Sequence, residues 1–173
     1  MRINGLFLCA ALCLAATVCF ADEKFAQSDD TRAVEQANAE FYASLNALFT
    51  GDYGPMESVW SHADDVTYMG PAGGFQIGWD AVRANWQTQA AKKLGGNVEP
   101  AETRFIVGDE LAFSFCFERG NNRDPQGQVI PVAIRATNVF RKENGQWKMI
   151  GHHTDILPFL QKQTFTGSFD GAK

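Results

Sequence analysis

Two runs rich in β-branched and aromatic residues, Ile130–Arg141 and Gln146–Asp155, flank the dipeptide Asn144-Gly145, and no other feature constrains the fold of this chain as much. Both central positions of a two-residue hairpin turn need positive φ, which asparagine and glycine adopt at low cost. The two runs are therefore expected to pair as antiparallel strands. Strand side chains alternate between faces. The second strand is therefore expected to place Trp147, Met149, His153 and Asp155 on one face and His152 on the other. An aromatic ring, an imidazole and a carboxylate on one face suggest the floor of a pocket.

Upstream the periodicity is helical. Ser28, Asp29 or Asp30 is positioned to cap a helix reaching about Thr50, on which Val34, Ala37, Phe41, Leu45 and Leu48 form one apolar stripe. Gly51 to Pro55 breaks it, and Pro55–Trp60 reads as a short second helix. Asp65–Met69 reads as a strand ended by Gly70-Pro71-Ala72-Gly73-Gly74, a loop without the Lys-Ser/Thr of a phosphate-cradling turn. A third helix is expected over Trp79–Lys93, with Ala81, Val82, Trp86, Ala90 and Leu94 broadly on one side and Gly95-Gly96 as its stop. Strands follow at Val98–Val107 and Leu111–Arg119, and then a polar loop, Gly120–Gly127. In the second of these, Phe113, Phe115 and Phe117 alternate with Ala112, Ser114 and Cys116. One face is strongly apolar, and the small-residue face suits close packing by another layer or subunit. Helices packed on one face of a curved antiparallel sheet make an α+β fold, and a bent sheet closed by a helix encloses a conical cavity.

The ends of the chain read differently. Arg2, the apolar run Leu6–Val18 and the small residues before Asp22 have the form of a cleaved export signal, too short to span a bilayer. Val18 before Cys19 argues against lipidation. The expected organisation is a signal peptide at 1–21, a flexible leader at 22–29, one domain at 30–160 and a loose tail at 161–173, in a periplasmic or secreted protein. Cleavage takes Arg2 with it, so the 15 basic residues become 14 against 20 acidic ones, a net charge of −6. Such a domain is a poor partner for nucleic acid or an anionic membrane surface. Cys116 is then the one remaining cysteine, so no intrachain disulfide is possible; it is either a small buried residue or a reactive thiol.

Several local patterns carry a resemblance. Val59-Trp60-Ser61-His62, Gly70-Pro71, Gly78-Trp79-Asp80-Ala81-Val82, Arg135-Ala136-Thr137 and Trp147 through His153, in this order of elements, resemble the SnoaL-like group of the nuclear transport factor 2-like superfamily. The last two are also similar to the association domain of calcium/calmodulin-dependent kinase II. The resemblance implies a cystatin-like conical α+β barrel over about Asp30 to Leu160. It implies little about chemistry, since the superfamily includes isomerases, cyclases, dehydratases, binding modules and assembly domains. Steroid isomerases of the superfamily carry a basic Asp just before the strand-ending Pro, where this chain has Gly70. The group's small hydroxyl residue two places after the strand's last His is here Asp155.

The candidate catalytic residues are His153, Asp155 and His62. His153 oriented by Asp155 makes a general base, or is a half-buried imidazole bonded to backbone beside a solvated carboxylate. His62 is a second acid/base group or a loop residue. The candidate ligand-binding residues are Arg135, Thr137, Trp60, Tyr68, Trp79 and Trp147. Arg135 either grips an anion or pairs with an acidic neighbour such as Glu118. His152 and His153, pointing opposite ways, cannot chelate one ion, and no metal or other cofactor is expected. Three roles follow: binding a small, partly apolar molecule, with a carboxylate or carbonyl among the options; isomerisation, dehydration or hydration through His153 and Asp155; or assembly. A homodimer is expected, and it is compatible with all three.

Overall fold

The computed structural model describes residues 20–156, with side chains from residue 29 onward. Residues 1–19 of the expected export segment and everything after Ile156 lie outside the described residues. The elements are α1 (Phe20–Leu48), α2 (Gly54–Val59), β1 (Thr67–Met69), β2 (Gln76–Ile77), α3 (Trp79–Ala91), β3 (Asn97–Val107), β4 (Leu111–Arg123), β5 (Val129–Glu143) and β6 (Gln146–Ile156).

Helix α1 already spans 22–29, the stretch expected as a leader, so Ser28 to Asp30 do not cap it. Asp30 instead anchors the helix to the sheet, accepting from Lys142 Nζ at 2.6 Å and from Trp147 Nε1 at 3.3 Å. The predicted stripe is buried throughout, with Val34, Phe41 and Leu48 fully enclosed. Asn38 and Tyr42 share that buried side. On α3 the buried residues are Trp79, Val82, Trp86 and Ala90; Ala81 is exposed. No helix of the described residues is long and apolar enough to cross a membrane.

The six strands form one curved, unclosed sheet in the order β2-β1-β6-β5-β4-β3. It is mixed, because β1 runs parallel to β6 while the other pairs are antiparallel. The Asn144-Gly145 hairpin forms as its composition dictates, with φ of 52° and 80° at the two positions. The expected loop from Gly120 is shorter than read from sequence: β4 continues to Arg123, which pairs with Val129.

One irregularity decides which side chains meet. Val139 pairs with Gly151 but Phe140 pairs with Met149, leaving Ile150 as an extra residue in β6. A bulge of one residue inverts the alternation beyond it. Trp147 and Met149 therefore point into the core, as do His152 and Thr154, whereas His153 and Asp155 emerge on the opposite face. This overturns the expected common face for Trp147, Met149, His153 and Asp155. In β4 the small-residue face, Ala112, Ser114 and Cys116, lies against α1 together with Glu118. The phenylalanines line the sheet's open face, where Phe115 is 40 % exposed.

Candidate functional site

Between α1, α3 and the inner face of the sheet lies a cavity of about 230 Å³. Its walls are mostly apolar: Leu45 comes from α1 and Phe49 from the turn that follows it, Trp86 from α3, and Ile134 from β5, with Ile130 and Ile156 near the exterior. Its polar lining is Tyr68 from β1, Gln89 from α3, Glu118 and Asn122 from β4, and His152 from β6. Strand pairing sets His152 beside Tyr68, and their rings stack at 5.8 Å. Phe41 lies 4.7 Å and Trp86 6.1 Å from the imidazole. A molecule entering here meets apolar walls and a few fixed polar groups, the usual make-up of a small-molecule site.

A hydrogen-bonded lattice behind the floor fixes these groups. Asn138 Nδ2 donates toward Asn38 Oδ1 (3.0 Å), Ser114 Oγ (3.1 Å) and the Tyr42 hydroxyl (3.3 Å). Ser114 Oγ donates to Asn38 Oδ1 at 2.8 Å. The oxygen of Asn138 therefore faces His152 Nδ1, at 2.6 Å. An amide oxygen only accepts, so Nδ1 carries the proton and the neutral imidazole leaves its lone pair on Nε2. Nε2 lies 3.7 Å from Glu118 Oε1, too far for a hydrogen bond. The Tyr42 hydroxyl donates to the same Oε1 at 3.0 Å.

Both floor groups are driven neutral by enclosure. Burial pushes the Glu118 carboxyl up to about 7, with the Tyr42 hydrogen bond opposing, and brings His152 down to about 3. Burial also pushes the Cys116 thiol up to about 11, with the Tyr42 hydroxyl 3.1 Å away. Cys116 is thus a buried packing residue and not a reactive thiol. Tyr68 accepts from Gln89 Nε2 at 2.9 Å, which leaves its own hydroxyl proton for another acceptor. At Gly70, where the steroid isomerases carry their base, a Cβ would collide with the Tyr68 hydroxyl. The Tyr68 side chain occupies the space that any side chain at position 70 would need.

Of the residues expected from sequence, only Tyr68 lines this cavity. Arg135, Thr137, His153 and Asp155 do converge, but in an open groove on the far side of the sheet. There Arg135 is in register with Asp155 and Thr137 with His153, while Glu118, the partner considered for Arg135, points the other way. His153 Nε2 meets Thr67 Oγ1 at 3.0 Å, and burial lowers its basicity against the opposing effect of Asp155. His62 is exposed, bonded to the Glu57 carbonyl at 3.0 Å and stacked on Trp79 at 4.3 Å. Trp60 is core, packed on Trp86 at 6.1 Å, and Trp147 is core, tied to Asp30. The residues missed were Glu118, His152, Asn138, Asn38 and Tyr42. For Glu118, Asn138, Asn38 and Tyr42 the signal was phase, since each recurs in step with the apolar or small residues of its own buried face; His152 carried no such signal, because the bulge at Ile150 shifts it relative to Trp147 and Met149. Among the described residues no group of three His, Cys, Asp or Glu side chains is placed to hold a metal ion.

Helices laid over a bent sheet, with polar groups sunk in the floor between them, define an α+β domain of the nuclear transport factor 2-like, cystatin-like class. Within it the chain belongs to the SnoaL-like domain family, whose sequence pattern matches residues 34–157. Three solved structures illustrate the likeness. A candidate dehydratase of the same class from Streptomyces avermitilis is 23% identical, with a TM-score of 0.67 over 76% of this chain and 98% of its own. A protein with a cystatin-like fold from Novosphingobium aromaticivorans is 15% identical, with a TM-score of 0.66 over 88% and 98%. A candidate calcium/calmodulin-dependent kinase II association domain from Thiobacillus denitrificans is 28% identical, with a TM-score of 0.57 over 71% and 94%. No curated protein matches the chain.

The floor pair predicts a distinctive pH dependence of stability. Glu118, raised from 4.5 to about 7, contributes stability that is full below pH 4.5 and lost as pH climbs toward 7. His152, lowered from 6.5 to about 3, contributes stability that is full above pH 6.5 and lost as pH falls toward 3. Between pH 4.5 and 6.5 the two slopes cancel. In Glu118→Gln the first contribution is gone. Urea unfolding across this range should show the variant gaining on the wild type by about 3 kcal/mol from pH 4.5 to 7. A pH-independent difference refutes the assignment.

Proposed function

We propose that the chain is an exported protein that binds a small, uncharged, partly apolar molecule in its conical cavity. The supporting observation is the combination of an apolar chamber of about 230 Å³ with fixed polar groups at its floor. An apolar protein cavity of ~150 Å³ already holds benzene, so a single-ring molecule is of the right size. A carboxylate ligand is disfavoured: neither Lys nor Arg is among the lining residues, and Glu118 is itself acidic. Arg135, the sequence candidate for gripping an anion, belongs to the other face. Trp86 contributes aromatic surface to the wall beside His152. NMR titration with single-ring ketones and alcohols should shift the resonances of Trp86 and His152. Ile130→Trp, at the cavity's exposed edge, should abolish those shifts without lowering the melting temperature. Shifts that survive this substitution refute the cavity as the binding place.

A second reading concerns assembly, and the open sheet face supports it. Phe113, Phe115 and Phe117 form a ladder there, with Phe113 and Phe115 rings 6.3 Å apart, flanked by exposed Ile106 and Met69. An apolar band of this kind marks an interaction surface. Arg135 beside Asp155 at its rim supplies both signs of charge, which suits a self-complementary two-fold contact. We therefore expect a homodimer through this face. Light scattering at micromolar concentration should give twice the chain mass for the wild type and the chain mass for Phe115→Glu; a monomeric wild type refutes it.

Export is the remaining part of the proposal, resting on Arg2, the apolar run and the small residues before Asp22. Intact-mass analysis of the protein recovered outside the cytoplasm should give a chain beginning at Asp22, and retention of Met1 in that fraction would count against it.

A further inference from the structure

We infer that the cavity floor is a proton-transfer site, in which Glu118 donates a proton to the carbonyl oxygen of an uncharged, ring-sized ketone while His152 Nε2 accepts one from the adjacent carbon. This rests on the ligand-binding reading of the cavity and extends it to a substrate class and a reaction.

The geometry supplies an acceptor first. With Asn138 Oδ1 held on Nδ1 at 2.6 Å, the imidazole has a single free lone pair, on Nε2. It supplies a donor next. Burial leaves the Glu118 proton in place up to about pH 7, and the Tyr42 hydroxyl orients the carboxyl through Oε1 at 3.0 Å. The two do not satisfy each other. Their 3.7 Å separation is longer than a hydrogen bond, yet an O=C–C unit placed before them reaches both. Neither has a cation among the cavity-lining residues to compete with this arrangement.

The step is balanced without a cofactor. The α-carbon–hydrogen bond breaks and its proton goes to Nε2, its electron pair becoming the carbon–carbon double bond. The carbonyl π pair takes the Glu118 proton and becomes an O–H bond. The product is an enol beside an imidazolium and a carboxylate. His152 alone is a weak base, because enclosure opposes its charging. As Glu118 gives up its proton, the imidazolium gains a carboxylate neighbour, so the two transfers assist one another. Return of the proton from Nε2 to the same carbon exchanges hydrogen with solvent. Return to a conjugated carbon moves the double bond. Tyr68, whose hydroxyl proton is free, is a further donor along the wall.

Cyclohexanone in D2O tests this. Proton NMR reads both its binding and the loss of its α-hydrogens. The wild type should accelerate exchange by at least about 10²-fold over buffer, the range general acid–base catalysis supplies. Glu118→Gln and His152→Asn, checked for folding by circular dichroism, should bind cyclohexanone while exchange falls to the buffer rate. Ile130→Trp, remote from the pair, should abolish binding and exchange together, which keeps the comparison informative if a floor variant does not fold. Binding by the wild type without accelerated exchange, or acceleration that survives both floor substitutions, overturns the proton-transfer inference alone. No binding at all overturns this inference and the ligand-binding reading together.

Discussion

The lattice that joins α1 to the inner face of the sheet holds the rest of the molecule in place. Asn38 and Tyr42 descend from the helix to meet Ser114, Glu118 and Asn138, and Asn138 in turn fixes His152. Buried polar groups are costly unless paired, and here each pairing forces the next. The Asn138 amide is placed by three acceptors, so its oxygen direction, and hence the proton on His152, are consequences of packing. The apolar stripe of α1 supplies the driving force for docking the helix, while the lattice selects one position for it. A helix shifted by one turn would bury the same hydrophobic area and orphan these groups.

The two faces of the sheet have separate characters. The inner face is small or polar in β4 and aromatic on the opposing helices, leaving a chamber where the layers diverge. The outer face is aromatic in β4 and charged at its rim. Because side chains alternate, neither face can change without regard to its neighbours in sequence. Phe117 and Glu118 are adjacent residues serving opposite sides of the sheet.

Much of this was legible in the sequence, and the illegible part has a definite cause. The α1 stripe, the Asn144-Gly145 turn, the late strands and the family resemblance all depend on local rules that tertiary structure left intact. The site depended on counting alternation through β6, and the count fails at Ile150 because a bulge leaves no composition signal there. From that residue on, inside and outside exchange, so His153 and Asp155 were assigned to the wrong side and His152 was set aside. Glu118 was overlooked for a different reason: an acidic residue in a strand is normally solvated, and only its phase with Ser114 and Cys116 marks it as enclosed. Arg135, Thr137, His153 and Asp155 were correctly grouped with one another because they all lie on the same side of the break.

The paired histidines after the bulge have a consequence for how such a domain tolerates change. With His152 and His153 adjacent, an imidazole faces the chamber whether or not Ile150 is accommodated as an extra residue. Were Ile150 to pair with Val139 and the bulge to disappear, the strand beyond it would slip by one residue and exchange which histidine is enclosed and which is outside, while keeping one in each compartment. What it would not preserve is the partner two places on, since Thr154 and Asp155 would trade places as well. The doubled residue makes the imidazole robust to slippage, and the unlike pair behind it lets the same slip place a hydroxyl or a carboxylate within.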